Sequence, residues 1–200
     1  MTKVLLDYRF SQDPNSGSYV RNLARSLKSQ KGIKLCLIMK PSEDLPEELE
    51  KLELIKRSKD PLSGAGYKEL REAVKVLQPD LVHCPDISTP NLKGIAPDKT
   101  IPIVTTIYDL SPLLVKGVMP SFIKRATYSG LVQRAFNWSN ALIVPSEQTY
   151  KSIQQFYPKL ANDDLITLIP VSNGSGKSGA DTDWNQVAKK TVQVYKCVLK

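Results

Sequence analysis

Apolar and polar positions along the chain fall into two alternating rhythms. Residues 3–7 (KVLLD) are a short apolar run ending on an acid, the profile of a strand buried on both faces. From Gly17 the spacing becomes helical, with Tyr19/Val20, Leu23/Ala24 and Leu27 apolar, and Gly32 supplies a stop signal. Residues 33–39 (IKLCLIM) predict a second strand, so the chain opens β–loop–α–β with a short crossover, the start of a parallel sheet. Residues 43–58 predict a short acidic helix and an irregular strand. Then follow an amphipathic helix over 67–78 closed by Pro79, strands at 80–84 and 101–107, and a long helix over 120–136. A strand at 141–144, a helix at 147–157 and a last strand at 165–169 complete the series. Strands alternating with helices predict an α/β fold: a Rossmann-like, doubly wound parallel sheet with helices on both faces.

The rhythm then breaks. Residues 172–180 read SNGSGKSGA, a composition of linker type. Beyond them Trp184, Val187, Ala188, Thr191, Tyr195 and Val198 lie on one face of a helix over 183–199, with Asp183 and Gln186 spaced as a capping box. Such a stripe requires a partner surface, and the preceding domain is the nearest. The expected organisation is a domain over 1–171, a Gly/Ser-rich linker over 172–182 and a terminal helix over 183–200 that packs back on the domain.

Composition narrows the function classes. The three cysteines, Cys36, Cys84 and Cys197, are far apart with no CxxC spacing, which excludes a disulfide scaffold or a cysteine-rich zinc site. His83 is the only histidine, so mechanisms that need a histidine pair are excluded and no metal is expected. No apolar run approaches the roughly 18 residues of a membrane span. Asp7 interrupts the N-terminus before a signal peptide could form, so a cytoplasmic chain is expected. The net charge is +8, and it is unevenly placed. Residues 110–146 hold Lys116, Lys124, Arg125 and Arg134 and no acid, while the region around 43–53 is acidic. A positive face, with an anionic partner, is the implication.

Four places offer chemistry. The stretch NGSGKS (173–178) resembles the end of a phosphate-binding loop, but the first glycine of GxxxxGK[ST] falls at Val171, so a linker is the better reading. The loop before Gly17 and Ser18 opens a helix N-terminus, a ready anion site to which Arg9 could add a charge; the plain alternative is a helix capped by Ser16. His83, Asp86, Tyr108 and Asp109 fall at C-terminal strand ends, where open α/β sheets hold their ligand crevice; a lone histidine is otherwise a structural core residue. Lastly, Val115, Val118, Met119, Phe122 and Ile123 are interleaved with Lys116, Lys124 and Arg125, the pattern of an interfacial helix at anionic lipid. A core helix with a solvated basic face is the alternative.

Six segments in order carry a resemblance: LLDYRF with NSGSYVRNLARSL, QPDLVHCPD, PIVTTIYDLSPLL, NALIVPSEQTYKSI and ITLIPVSNG. Together they resemble the N-terminal, acceptor-side half of a family 4 retaining glycosyltransferase, an enzyme of two Rossmann-like domains (the GT-B fold). The tail DWNQVAKKTVQVYKCVL resembles that family's terminal helix, which crosses back to the N-terminal domain. The resemblance implies transfer of a sugar from a UDP- or GDP-linked donor to an acceptor hydroxyl, in bacterial-type glycan or glycolipid synthesis, without a metal or covalent cofactor. It implies acceptor- or donor-binding roles for Arg9, Ser16, Gly17, Ser18, His83 and Asp86, and a place at the reaction centre for Tyr108 and Asp109. Tyr108 stands where many members have histidine, so a histidine-based role there does not transfer. The family's donor-side domain has no counterpart in the sequence, and residues 172–182 read as an engineered bridge across its deletion; a natural single-domain form is the alternative. An inactive isolated chain is the consequence. A subunit of a split transferase and a basic nucleic-acid-binding module are the competing readings. The latter rests on charge alone, with no helix-turn-helix, zinc finger or aromatic-studded sheet to support it. A glycan or lipid-linked acceptor and an anionic membrane surface, met through Lys116, Phe122, Lys124 and Arg125, are the expected partners.

Overall fold

The computed structural model describes residues 1–95, 100–114, 121–160, 164–171 and 182–200. Seven parallel strands form one sheet: β1 (Thr2–Asp7), β2 (Ile33–Met39), β3 (Glu53–Lys56), β4 (Leu81–Cys84), β5 (Ile103–Thr106), β6 (Ala141–Val144) and β7 (Ile166–Leu168). Their order is β3-β2-β1-β4-β5-β6-β7. The helices are α1 (Gly17–Lys28), α2 (Gly64–Leu77), α3 (Ser111–Leu114), α4 (Phe122–Trp138), α5 (Glu147–Phe156) and α6 (Trp184–Val198).

The period of two along β1 sorts its side chains between two cores. Val4 and Leu6 pack with Val20, Leu23 and Leu27 of α1 and with Val187 and Tyr195 of α6. Leu5 faces the other way, with Leu70 and Val74 of α2. Leu142 and Val144 of β6 continue that second face against Val132 and Phe136 of α4 and Ile153 of α5. Thus α1 and α6 cover one face, and α2, α4 and α5 the other. The expected α/β fold with a docked terminal helix is the fold observed. Val187, Ala188, Thr191 and Tyr195 of the expected stripe are buried, and Trp184 is partly so. At the helix start the Asp183 carboxylate accepts from the Gln186 N–H at 3.0 Å.

The differences are local. The weak 43–58 region contains a 3-10 turn at Glu47–Leu49 and the edge strand β3, whose register on β2 is set by pairing rather than by its own alternation. Helix α2 starts three residues earlier than Tyr67, because the Ser63 hydroxyl caps it by accepting from the Gly66 N–H at 3.0 Å. A Cβ at Gly66 would lie 1.9 Å from the Asp60 carbonyl oxygen, so only glycine fits that turn. The helix expected over 120–136 runs Phe122–Trp138 and is preceded by the single turn α3. Lys116, Val118, Met119 and the linker residues 172–181, including the stretch NGSGKS, lie outside the described residues.

Candidate functional site

The sheet changes direction of winding at β1, whose neighbours are β2 on one side and β4 on the other. In open α/β sheets the crevice opens outside the carboxyl ends of the strands at that point. Three loops meet there, following β1, β4 and β5, and the first is built on a buried ion pair. Arg9 Nε and Nη2 donate to the two oxygens of Asp7 at 2.8 and 2.7 Å, and Nη1 donates to the Gly66 carbonyl at 3.1 Å. Both side chains are fully buried, and Glu69 lies 3.6 Å from Nη1. The guanidinium is therefore neutralised inside the protein. This corrects the expectation of a free cation beside the α1 N-terminus; Arg9 instead locks the β1 loop to α2.

The α1 N-terminus is also occupied from within. Asp13 Oδ1 accepts from the Asn15 N–H at 2.9 Å, the Ser16 N–H at 2.8 Å and the Ser16 hydroxyl at 3.1 Å. Ser16 holds the cap position, but its hydroxyl makes no cap bond and turns to Asp13 and Asp86. Gly17 has a steric reason: a Cβ there would stand 2.5 Å from the Ser11 carbonyl oxygen, the contact that lays the loop on the helix. Ser18 is exposed, its hydroxyl within 3.4 Å of the Asn22 amide. This helix end therefore carries a carboxylate, Asp13, beside a guanidinium, Arg21, whose Nη1 donates to the Ser11 carbonyl, and not an unopposed positive charge.

His83 lies below the crevice rather than in it. The ring is fully buried, with Nδ1 2.6 Å from the Tyr195 hydroxyl and Nε2 2.9 Å from the Thr106 hydroxyl. Burial pushes its pKa down to about 3, so the imidazole is neutral at physiological pH. With both nitrogens satisfied by the core it has no edge to offer a ligand, which corrects the expectation of a crevice-lining His83.

Asp86, Asp109 and Tyr108 do come together at the crevice. Asp86 is half-buried and accepts from the Ile87 N–H at 2.6 Å. Burial pushes its carboxyl up to about 6; Asp13 and Asp109 push the same way, while the Ile87 N–H and the Ser16 hydroxyl oppose. Asp109 accepts from the Ser111 N–H at 2.7 Å and from the Ser111 hydroxyl, capping α3. Its carbonyl accepts from the Tyr128 hydroxyl at 2.8 Å. Tyr108 is partly exposed, its ring 5.6 Å from that of Tyr19, and burial raises its phenol pKa. Beside this cluster, at the ends of β1–β3, an open recess of about 610 Å³ is lined by Phe10, Gln12, Asp13, Lys40, Asp60 and Leu62. Carboxylate oxygens keep lone pairs after capping, so these groups can accept hydrogen bonds from a polyhydroxylated ligand, and Asp86 can exchange a proton near pH 6. Among the described residues no group of three His, Cys, Asp or Glu side chains could hold a metal ion.

Sequence reading passed over Asp13 and Tyr128. Asp13-Pro14-Asn15-Ser16 carries the signature of an Asx turn, which could have placed Asp13; nothing local marks Tyr128, nineteen positions beyond Asp109.

The raised Asp86 carboxyl makes a stability prediction with a defined sign. A carboxyl with a folded value near 6 and an ordinary value of 3.8 is stabilising while protonated, and that stability is lost as pH rises through about 6. Asp86→Asn should therefore raise unfolding free energy at pH 7 by up to about 3 kcal/mol. At pH 3.5 the two proteins should match. Urea denaturation at both values checks it, and a variant no more stable than wild type at pH 7 would refute the burial argument.

Comparison with known proteins gives these features a context. The family model described as Glycosyltransferase Family 4 matches residues 16–171. No curated protein matches the sequence. Among solved structures, the S. aureus MnaA–UDP co-structure is similar with a TM-score of 0.54 at 11% identity, over 92% of this chain and 50% of that one. A glycosyltransferase from Rickettsia africae ESF-5 gives a TM-score of 0.53 at 14% identity, over 98% and 49%. At such identities the likeness is one of fold. The chain spans about half the length of both.

Proposed function

The chain belongs to Glycosyltransferase Family 4, and from that premise we propose that it is the acceptor-side half of a retaining sugar transferase. The observation that carries this reading is the crevice at the strand ends, where Asp13, Asp86, Tyr108 and Asp109 bring carboxylates and a phenol together, with the buried Ser16 hydroxyl linking Asp13 to Asp86 beneath them. The recess beside it accommodates further sugar of a glycan acceptor. In this reading Asp109 and Asp86 orient the acceptor hydroxyl, Ser18 stands at the exposed rim, and the buried Ser16 and Gly17 hold the loop beneath it. Arg9 and His83 hold those loops from below.

The acceptor oxygen would attack the anomeric carbon on the side from which the nucleoside diphosphate leaves, giving retention. The C–O bond to the diphosphate breaks as the new glycosidic bond forms, and the acceptor proton passes to the departing phosphate oxygen. In this reading the donors that stabilise the departing charge come mainly from the other half, because Asp13, Asp86 and Asp109 dominate this crevice and Lys40 lies out in the neighbouring recess. A UDP- or GDP-linked sugar is the donor in this proposal, consistent with the UDP named for the S. aureus MnaA structure. Residues 172–182 would bridge the position of the donor-side domain, and the chain alone would be inactive.

Two measurements test the reading together. Calorimetry with UDP- and GDP-sugars should show no micromolar binding to the chain alone. Amide shift mapping with oligosaccharide acceptors should perturb residues around Ser16, Asp86 and Asp109. Micromolar donor binding would overturn the half-site assignment, and acceptor shifts confined to the opposite sheet edge would overturn the acceptor site.

A further inference from the structure

Charge is divided along the strand ends. Asp13, Asp86 and Asp109 stand on the loops that follow β1, β4 and β5, whereas the chain leaving β2 begins with Lys40 and the chain leaving β3 reads RSKD over 57–60. Lys40 is the most firmly placed of these cations. A tight turn holds its backbone from both sides: its N–H donates to Glu43 Oε2 at 2.9 Å, and its carbonyl accepts from the Glu43 N–H at 3.2 Å. Glu43 is buried, so the turn is anchored from within. One strand over, the Arg57 N–H donates to the Met39 carbonyl at 2.8 Å and fixes the β3 loop beside the turn.

The half-buried Lys40 side chain lines the recess of about 610 Å³, and among the described residues no acid stands within ion-pair distance of its ammonium. The other cations nearby are committed or out in water. Arg9 is neutralised by Asp7, Arg57 Nη1 donates to the Lys56 carbonyl at 2.9 Å, and Lys59 is exposed. The two acids of the recess are engaged by their own loops. Asp13 Oδ1 takes three hydrogen bonds, and Asp60 Oδ1 accepts from the Leu62 N–H at 2.8 Å. A partly desolvated ammonium without a counter-charge is unfavourable, and a ligand anion relieves it. Beside Lys40 the Gln12 amide and the Ser58 hydroxyl, both exposed, add donors, while Phe10 and Leu62 supply the apolar part of the wall. Neighbouring strands lie ~4.8 Å apart, so with β1 between them the ends of β2 and β4 are separated by about 10 Å, and a short oligosaccharide reaches both. Given an acceptor bound at Asp86 and Asp109, on which this inference rests, we propose that the acceptor is an acidic glycan. Lys40 binds a carboxylate or phosphate on a sugar behind the reacting one, Gln12 and Ser58 support it, and the lysine discriminates acidic from neutral acceptors.

Amide shift titration of the full chain with matched trisaccharides tests this: one of neutral hexoses, one carrying glucuronate and one carrying hexose 6-phosphate, with the acid at each end in turn. All should perturb Asp86 and Asp109. An acidic trisaccharide should bind about fivefold tighter than the neutral one, should also shift Lys40, Gln12 and Ser58, and should lose its advantage in high salt. A tighter glucuronate compound identifies the acid as a uronate, and a tighter phosphate compound identifies a phosphosugar. Lys40→Met should bring acidic and neutral sugars to equal affinity without weakening the neutral one, and Lys40→Arg should keep the preference. The urea midpoint of both variants should match wild type, because the ammonium has no partner to lose. Lys75→Met, exposed on α2, removes the same charge elsewhere and should leave the preference intact. Crevice shifts with equal affinity for acidic and neutral sugars would overturn the acidic-acceptor assignment while leaving the acceptor site in place. A preference that survives Lys40→Met, or that Lys75→Met removes equally, would overturn the role of Lys40. Absence of shifts at Asp86 and Asp109 with every trisaccharide would remove the acceptor site itself, and the inference with it.

Discussion

Replacing Tyr195 with alanine should lower the unfolding free energy by about 4 kcal/mol, the range seen for deleting a large buried aromatic ring. The residue is fully buried at one end of a chain of hydroxyls and imidazole that crosses the core. Its hydroxyl meets His83 Nδ1 at 2.6 Å; His83 Nε2 meets Thr106 at 2.9 Å, and Thr106 meets the Tyr19 hydroxyl at 3.1 Å. That chain ties α6 to β4, β5 and α1. Tyr195→Phe keeps the ring and strands His83 Nδ1 without a partner, so about 1–3 kcal/mol should be lost. Deleting residues 182–200 should exceed either, because Val187, Ala188, Thr191 and Val192 leave the core with it. The histidine gives the series a pH signature. The fold keeps His83 neutral down to about pH 3, while the unfolded chain protonates it near 6.5. Stability is thus complete above pH 6.5 and falls as pH drops towards 3. Urea denaturation of the three variants across that window measures all of this. A Tyr195→Ala midpoint equal to wild type would mean that α6 does not support the domain.

Breaking the Asp7–Arg9 pair should be comparably damaging. Arg9→Met removes a bidentate partner from a carboxylate with no exposure and leaves a charge in the core, at about 3–5 kcal/mol. It also frees the Gly66 carbonyl and loosens the β1 loop from α2, so amide protection around 8–16 should fall with it. The double Asp7→Leu/Arg9→Met carries no buried charge and should recover most of the loss. A single variant as stable as wild type, or a double no better than the single, would show that the pair does not hold the loop.

The two arginine and histidine corrections share one cause. In the sequence Arg9 looks like a loop cation because Asp7 ends an apolar strand run, and a bidentate return over two residues leaves no trace in a periodic pattern. His83 read as a strand-end residue, but its partner Tyr195 lies 112 positions away, on a helix whose docking face alone was visible. Asp86 and Asp109 lie just past the ends of β4 and β5, as their sequence positions imply, while their mutual electrostatic influence, which helps raise the Asp86 carboxyl, depends on how the loops lie in space.

Local pattern is enough to specify the set of elements and their layering. Apolar runs in β1 and β2 demand cover on both faces, helical stripes in α1 and α6 demand a surface, and the β–α–β rhythm allows one handedness of crossover. These are short-range signals, written within a few residues of where they act. Only the tertiary structure decided which polar groups meet. It closed Asp7 on Arg9, ran His83 between Tyr195 and Thr106, turned Ser16 towards Asp13, and left Phe122 and Ile123 uncovered. The reason is physical. Burial is a demand that a residue makes on any apolar neighbour, and so it shows in pattern. A hydrogen bond or ion pair is a demand on one particular atom, whose place depends on every loop that intervenes.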